Sequence, residues 1–585
     1  MSNKEKFYGV NESNWGHKWG YKDSGFKINS DKSVTFTGKR YPICGKKLYN
    51  FIPFVEEILG VEFALEPKIK EVAEKHVSDP NINEPFMADL KNSFDADRFS
   101  SEHNERLLHS HGQHSTDEVY KVLYNKLDQF ADLVFYIESE EETVKLIDLA
   151  EKHNVCLIPY GGGTNVTNAL RPPKEEGRMV VSVDTRRMAS VESVDEQNLM
   201  VTVGAGITGK VLEQELNKRG FTVGHEPDSY EFSTVGGWIS TNAAGMKKHK
   251  YGNIEDIVQN LRMVTPKGVI TQKKPLTRSS FGIKAQNILF GSEGNLGIIT
   301  SATLKVHCLP ESSAYESIIF KDWDTGVRFM YDLFHSNIVP ASARLADNLQ
   351  IRLGNALKEN KEGLSKVLDD FKKYILFNVK GVNPEKFTAA VFKIEGSNAE
   401  VENQRENLRT LSKKHGGILA GESTGKSGYL ATMVIAYIRE LIFTQNVLGE
   451  TMETAVPWSK INQVKSEAHK LIVQLHKENK LPGKPFFTSR ISKIYHTGVC
   501  MYNTIAMSFE GIENPEDVFT GIEHKMRENF IQNGGSISHH HGVGKLRKDF
   551  MRDTISESSI EMVRGIKQVQ DPKNVFGVKN NIVLK

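Results

Sequence analysis

Three glycine-rich blocks constrain this chain more than anything else in it. The first, Pro159, Tyr160, Gly161, Gly162, Gly163, Thr164 and Asn165, follows directly on the apolar run that begins at Val155. The second runs through Asp228, Ser229, Tyr230, Glu231, Phe232, Ser233 and Thr234, and continues to Thr241, Asn242, Ala243 and Ala244. The third, Glu293, Gly294, Asn295, Leu296, Gly297, Ile298 and Ile299, opens another apolar run. Consecutive glycines let a backbone turn several N–H groups toward one concave side, a nest suited to an anion such as a diphosphate. A nicotinamide-type loop would need G-x-G-x-x-G opening a helix, and a Walker loop would need Lys-Ser/Thr after the glycines; neither is present. A lone GGG would be a tight turn. Three blocks rich in small residues and hydroxyls imply close backbone approach to one extended ligand.

At 585 residues the chain is too long for a single core, and two or three domains are expected. The segment before residue 125 mixes Pro, Asn and charge with short helical patterns such as Phe51 to Leu59, and Trp15 and Trp19 read as an arm that packs onto the body. From about 132 onward a helical stretch (Glu141 to His153) and short β-rich runs alternate, with a further helical pattern at Gly209 to Lys218. Long surface helices are expected near 397–415 and 459–479. The 75 basic and 73 acidic residues are well mixed, so no field of one sign exists to hold a nucleic acid. Cys44, Cys156, Cys308 and Cys500 are far apart and form no C-x-x-C pair, which argues against a disulfide framework or zinc site. The longest apolar run, Leu430 to Ile438, is shorter than the ~20 residues that span a bilayer. The N-terminus carries no apolar signal core, and the terminal NNIVLK is not a peroxisomal S-K-L address.

The string Ser538-His539-His540-His541-Gly542 is the most unusual in the chain. Three adjacent residues cannot all face one ion in a helix or strand, and Lys545, Arg547 and Lys548 would repel a cation, so no metal is expected. Three consecutive imidazoles beside glycine also make a poor core. A polar active-site loop is left, with side chains able to carry protons near neutral pH.

The blocks PYGGGT, STVGGW–STNAAG and GSEGNLGIIT resemble the FAD-binding domain of the vanillyl-alcohol oxidase superfamily. The longer strings SHHHGVGKLRK, HEPDSYEFSTVGGW, ASARLADN and GYLATMVIAYIRE narrow that resemblance to its alkyldihydroxyacetonephosphate synthase family. The resemblance implies an α+β fold with a two-subdomain FAD domain, a substrate cap and an N-terminal helical region. Expected bounds are 1–125 for the N-terminal region, 126–308 for the FAD domain and 309–525 for the cap, with 526–585 returning the histidine loop to the FAD domain. It implies FAD held by the three blocks, non-covalently because residues 160–167 contain no histidine. One departure from relatives is Gly282-Ile283-Lys284-Ala285, where an acid usually follows the glycine.

Residue by residue, the resemblance makes Tyr502 a proton donor or acceptor, Arg439 a phosphate ligand, and His539, His540, His541 and Arg344 catalytic. Arg439 or a protonated loop histidine is expected to lower the Tyr502 pKa. The reaction implied exchanges the acyl group of acyl-dihydroxyacetone phosphate for a long-chain fatty alcohol, with no net redox, through a bond to flavin N5. A peripheral membrane surface, a homodimer and a peroxisomal location follow by the same resemblance. Two other readings stay open at this point: a 2-hydroxy-acid dehydrogenase on the same fold, and a flavin-binding protein without catalysis.

Overall fold

The apolar runs around the first glycine block pair with one another in the computed structural model, which describes residues 17–336, 338–360, 374–430 and 432–581. Trp15 and residues 582–585 lie outside the described residues. Strand Cys156–Tyr160 lies parallel to Val180–Asp184, which is parallel to Leu133–Tyr136, and Phe99–Ser100 closes the edge antiparallel. Strands of such a sheet are buried on both faces, so they read as continuous apolar runs rather than alternation. Helix Glu140–His153 carries the chain between the outer parallel strands. It begins where Ser139 accepts the Glu142 N–H, has three glutamates in its first turn, and stops at Asn154 in the left-handed region.

A second, antiparallel sheet has the order Gly268–Ile270, Val258–Thr265, Ile298–Lys305, Met200–Gly204, Val191–Asp195. Helices Gly209–Asn217 and Val235–Thr241 share its core through Leu212, Leu216 and Trp238. The third sheet is antiparallel and seven-stranded: Ile418–Leu419, Ser312–Phe320, Thr388–Gly396, Ser342–Ala346, Phe486–Ile494, Gly498–Ser508, Val447–Pro457. Helices Asn398–Lys414 and Ile461–Glu478 pack on it, close to the spans expected from the sequence.

The N-terminal region is less helical than expected. It opens with a small antiparallel sheet, Phe26–Ile28, Val34–Phe36 and Lys47–Leu48, whose strands are too short to show a period in the sequence. Trp19 is buried against Phe232, His114 and Tyr437, so this arm does pack onto the body. Helix Phe51–Leu59 joins the core of the large sheet. At the other end, the C-terminal tail returns to the first sheet, where Leu157 N–H donates to Val575 O. No described helix is long and apolar enough to cross a membrane.

Candidate active site

The three glycine blocks meet at the seam between the first two sheets. A Cβ on Gly162 would fall 2.0 Å from the Phe232 carbonyl oxygen, and one on Gly161 2.5 Å from Thr234 Oγ1, so the first block lies flat against the second. A Cβ on Gly294, at φ 77°, would fall 3.2 Å from Pro159 Cδ. Outside the strands, no described backbone hydrogen bond uses an N–H of Gly161, Gly162, Gly163 or Thr164 as donor, while Gly163 O accepts from Gln113. Four unspent N–H groups on the wall of a cavity fit a diphosphate-bearing ligand.

That cavity, about 360 Å³, continues past the cradle to a row of side chains on the large sheet. Register sets Tyr502 directly opposite Glu453 on one neighbouring strand and Arg490 on the other. Directly opposed residues share a face, so an acid, a phenol and a guanidinium stand side by side. A bulge between Ile491 and Lys493 shifts the register by one residue, which brings Lys493 onto the same side as Arg490. Arg490 Cζ lies 4.6 Å and Lys493 Nζ 5.5 Å from the Tyr502 ring centre.

Glu453 anchors the histidine loop onto this row. Fully buried, it accepts from Ser538 Oγ at 2.6 Å and from the backbone N–H groups of His539 and His541. Burial opposes its charge, but His541 and the guanidinium groups of Arg547 and Arg527 outweigh burial and hold the carboxyl well below the usual range. On the far side of the loop, Glu293 accepts the N–H groups of Val543 and Gly544, pinning the loop to the third glycine block. Glu453, Cys500, His539 and His540 bring potential metal ligands within 4.8 Å of one another. The Glu453 oxygens are already taken by loop donors, so the group is built as an anchor.

So held, the imidazoles form a line. Tyr495 Oη is 2.7 Å from His539 Nε2, His539 Nδ1 is 2.8 Å from His540 Nδ1, and His540 Nε2 is 2.6 Å from Tyr502 Oη. A neutral imidazole carries one N–H, so this line has two complete settings. In one, Tyr502 donates to His540, His540 to His539, and His539 to Tyr495; in the other every proton is shifted one group along. Tyr495 Oη lies 3.2 Å from Asn253 Oδ1, which only accepts, and this favours the first setting.

The electrostatics correct one expectation. Burial raises the Tyr502 pKa well above its ordinary value, Asp228 adds to this, and Arg490 only partly offsets it. Burial likewise keeps the histidines neutral: His541 is lowered to about 4, His539 to about 3, and His540 well below its ordinary value. The resting pair is therefore a protonated phenol and a neutral imidazole. The cation that acts on Tyr502 is Arg490, beside Lys493, whose own pKa burial lowers, and neither Arg439 nor a protonated histidine supplies one.

Of the residues singled out from the sequence, Pro159 to Asn165, Asp228, Ser229, Ser233, Thr234, Thr241, Ala243, Glu293, Gly294, Gly297, Ile298, Ile299, Arg439, Tyr502, His540 and His541 line the cavity. Tyr230, Glu231, Phe232, Asn242, Ala244, Asn295, Leu296, His539 and Arg344 stand behind that wall. Glu231 pairs with Lys210 at 2.9 Å and Phe232 packs on Trp19 and Tyr21. Asn242 is the left-handed C-cap of Val235–Thr241, and Asn295 donates to Asn580 O. Arg344 stacks over Tyr429 at 4.8 Å beside Met246. Arg439 faces the cavity, but its terminal nitrogens donate to the carbonyls of His114 and Gln113, leaving Nε buried with no partner. Beyond it the cavity runs into an apolar arm lined by Phe54, Ile58, Leu353, Ile442, Phe486 and Ile505. The sequence reading missed this arm, Glu453, Arg490 and Lys493.

Neutral buried histidines also set the acid limit of the fold. His114, His225 and His539, lowered to about 3 by burial, take up protons in the unfolded chain from their ordinary value of 6.5 downward, but not in the native one. Their contribution is complete above pH 6.5 and is lost as pH falls toward 3. Glu118, Glu440 and Glu523, raised by burial to about 7, act in the opposite sense down to their ordinary 4.5. With His111, His249 and His541, each lowered to about 4, acting in the same sense as the first three, the urea midpoint is expected to fall from pH 6.5 downward and more steeply below pH 4.5, and a midpoint constant down to pH 3 would mean that these imidazoles are charged and paired.

Residues 131–272 match the family described as FAD binding domain, and residues 309–578 the family described as FAD linked oxidases, C-terminal domain. The chain is 38% identical over 565 residues to the alkyldihydroxyacetonephosphate synthase of Caenorhabditis elegans, covering 96% of this chain and 94% of that protein. It is 30% identical to the one from Trypanosoma brucei brucei, over 95% and 91%. A solved alkyldihydroxyacetonephosphate synthase superposes with a TM-score of 0.84 at 27% identity, over 97% of this chain and 99% of that one. p-Cresol methylhydroxylase, at 12% identity and a TM-score of 0.66 over 87% and 99%, shares the fold, the α+β architecture of vanillyl-alcohol-oxidase-type flavoproteins. With the glycine cradle and the anchored histidine loop in place along nearly its whole length, this chain belongs to the alkyldihydroxyacetonephosphate synthase family of FAD-dependent enzymes.

Proposed function

We propose that this protein makes the ether bond of ether lipids, exchanging the acyl group of acyl-dihydroxyacetone phosphate for a long-chain fatty alcohol. One observation carries the reading: a single cavity joins the diphosphate cradle, the Tyr502–His540 pair and an apolar arm. With flavin on the cradle, the Arg439 Nε, the Tyr502–His540 pair and the apolar arm are left for an amphiphile with a phosphate, a reactive carbon and an acyl chain.

FAD is the cofactor, and the N–H groups of Gly161 to Thr164 would hold its diphosphate, non-covalently since no histidine lies in that loop. When bound it supplies an electrophilic ring that accepts and returns an electron pair, so no outside redox partner is consumed. Tyr502 takes the proton from the carbon bearing the acyloxy group while passing its own to His540 Nε2. Arg490 and Lys493 stabilise the negative charge that develops on the phenol oxygen during this transfer. The same pair returns a proton to that carbon after the alkoxide has replaced the carboxylate, and the alcohol's proton leaves with the fatty acid. The buried, unpartnered Nε of Arg439 supports a contact with the phosphate end. The apolar arm takes the hydrocarbon chain. Peripheral contact with a membrane, a homodimer and a peroxisomal location belong to the same proposal.

Purified flavoprotein incubated with acyl-dihydroxyacetone phosphate and fatty alcohol, without an electron acceptor, should release fatty acid and alkyl product in equal amounts and end with oxidised flavin. Flavin bleaching by a 2-hydroxy acid, with no ether formed, would favour the dehydrogenase reading instead.

The cradle carries its own prediction. Gly162→Ala forces the Phe232 backbone outward, an overpacking that typically costs ~1–3 kcal/mol. Flavin absorbance per protein and the urea midpoint should both fall, whereas Gly565→Ala, inside helix Glu557–Gln570 with open space around it, should leave flavin content unchanged and raise the midpoint slightly. Full flavin content in Gly162→Ala would mean that the blocks separate freely.

A further inference from the structure

We propose that the loop of residues 271–288 docks this protein on an anionic phospholipid bilayer. Between Asp256 and Glu293 the sequence contains no acidic residue, while Lys273, Lys274, Arg278 and Lys284 fall within the loop. The loop leaves the edge strand Gly268–Ile270 and ends in the short turn Ala285–Ile288. Leu276, Phe281 and Ile283 on it are 48%, 63% and 89% exposed. Gly282, at φ 106° with open space around it, makes a reversal that turns Phe281 and Ile283 outward on either side.

Large apolar side chains this exposed are unfavourable in water and gain by entering the boundary between headgroups and acyl chains. The cations around them select the charge of the partner. Among the described residues none of the four is held in an ion pair, so all are available to phosphate groups of an anionic surface. The two limbs of the loop also enclose a cleft of about 470 Å³, lined by Leu276, Phe281 and Ile283 together with Lys273, Lys274 and Lys284. Apolar tips inside a cationic rim suit a lipid surface. No residue of the loop lines the candidate active site. Membrane docking draws its motive from the lipid substrate proposed above, yet vesicle binding is measured without catalysis, so the two can fail separately.

The test is flotation of the purified flavoprotein with phosphatidylcholine vesicles, with and without phosphatidylserine. The parent should float with the anionic vesicles and be released by salt. Phe281→Ser with Ile283→Ser, and separately Lys273→Glu with Lys274→Glu, should each weaken flotation by about tenfold or more. Flavin content and turnover with detergent-dispersed substrate should be unchanged in both. A parent that does not float, or variants that float like the parent, would overturn the proposal. So would a change in mass in solution for the serine variant with undiminished flotation, which would make the loop a contact between copies of this chain.

Discussion

Tyr502→Phe should keep its fold and its flavin and lose turnover by ~10²-fold or more. The substitution removes one oxygen and leaves the ring, which stays packed on its strand between Glu453 and Arg490. The lost oxygen is the one 2.6 Å from His540 Nε2, so the proposed relay loses the atom that would face the reacting carbon. His540 has no second route to that carbon through the line of imidazoles, because His539 leads away from the cavity to Tyr495. Exchange of the substrate's carbon-bound hydrogen with solvent should fall in parallel with turnover, since both need the same proton transfer. Normal exchange in a variant with full flavin content would make Tyr502 a packing residue and pass the role to the histidines.

Glu453→Gln should be nearly as damaging, although this residue does not line the cavity. The carboxylate receives donors on both oxygens: the Ser538 hydroxyl on one, the His539 N–H on the other. An amide offers only one acceptor, so its NH₂ must face a donor, and a buried unsatisfied donor costs ~1–3 kcal/mol. The loop would turn away to relieve this, and a displacement of ~1 Å at reacting groups can cost ~10²-fold. The expected pattern is a large fall in kcat with KM and flavin content little changed, and partial recovery in Glu453→Asp, which keeps the charge. An unchanged kcat in Glu453→Gln would show that the loop needs no such anchor.

The contrast between these two residues shows what could be read from the chain. The glycine blocks and the histidine string were legible because backbone conformations that need glycine, and polar runs that cannot be core, leave their mark in consecutive residues. The helices Asn398–Lys414 and Ile461–Glu478 were legible by period and length. Glu453 was not. It is one acid among apolar neighbours on Val447–Pro457, and its partners lie more than eighty residues on, at Ser538, His539 and His541. Arg490 and Lys493 are three residues apart, which in a regular strand puts them on opposite faces, and only the bulge and the register against Tyr502 put both over one ring. The apolar arm was hidden for a related reason. Phe54 and Ile58 belong to an N-terminal helix far from the large sheet in sequence, and their apolar face reads the same whether it meets a core or a cavity. The Tyr502 pKa went the wrong way because charges can be counted in a sequence and burial cannot.

The most direct test of the central claim follows the oxygen atom. If the alcohol's oxygen replaces the whole carboxylate at the carbon beside the ketone, hexadecanol carrying ¹⁸O in its hydroxyl should pass that label into the ether product. The palmitate released from palmitoyl-dihydroxyacetone phosphate should then carry none, and mass spectrometry of both products reads the outcome. Unlabelled ether, label in the released palmitate, or no ether at all from flavin-replete protein would contradict the account.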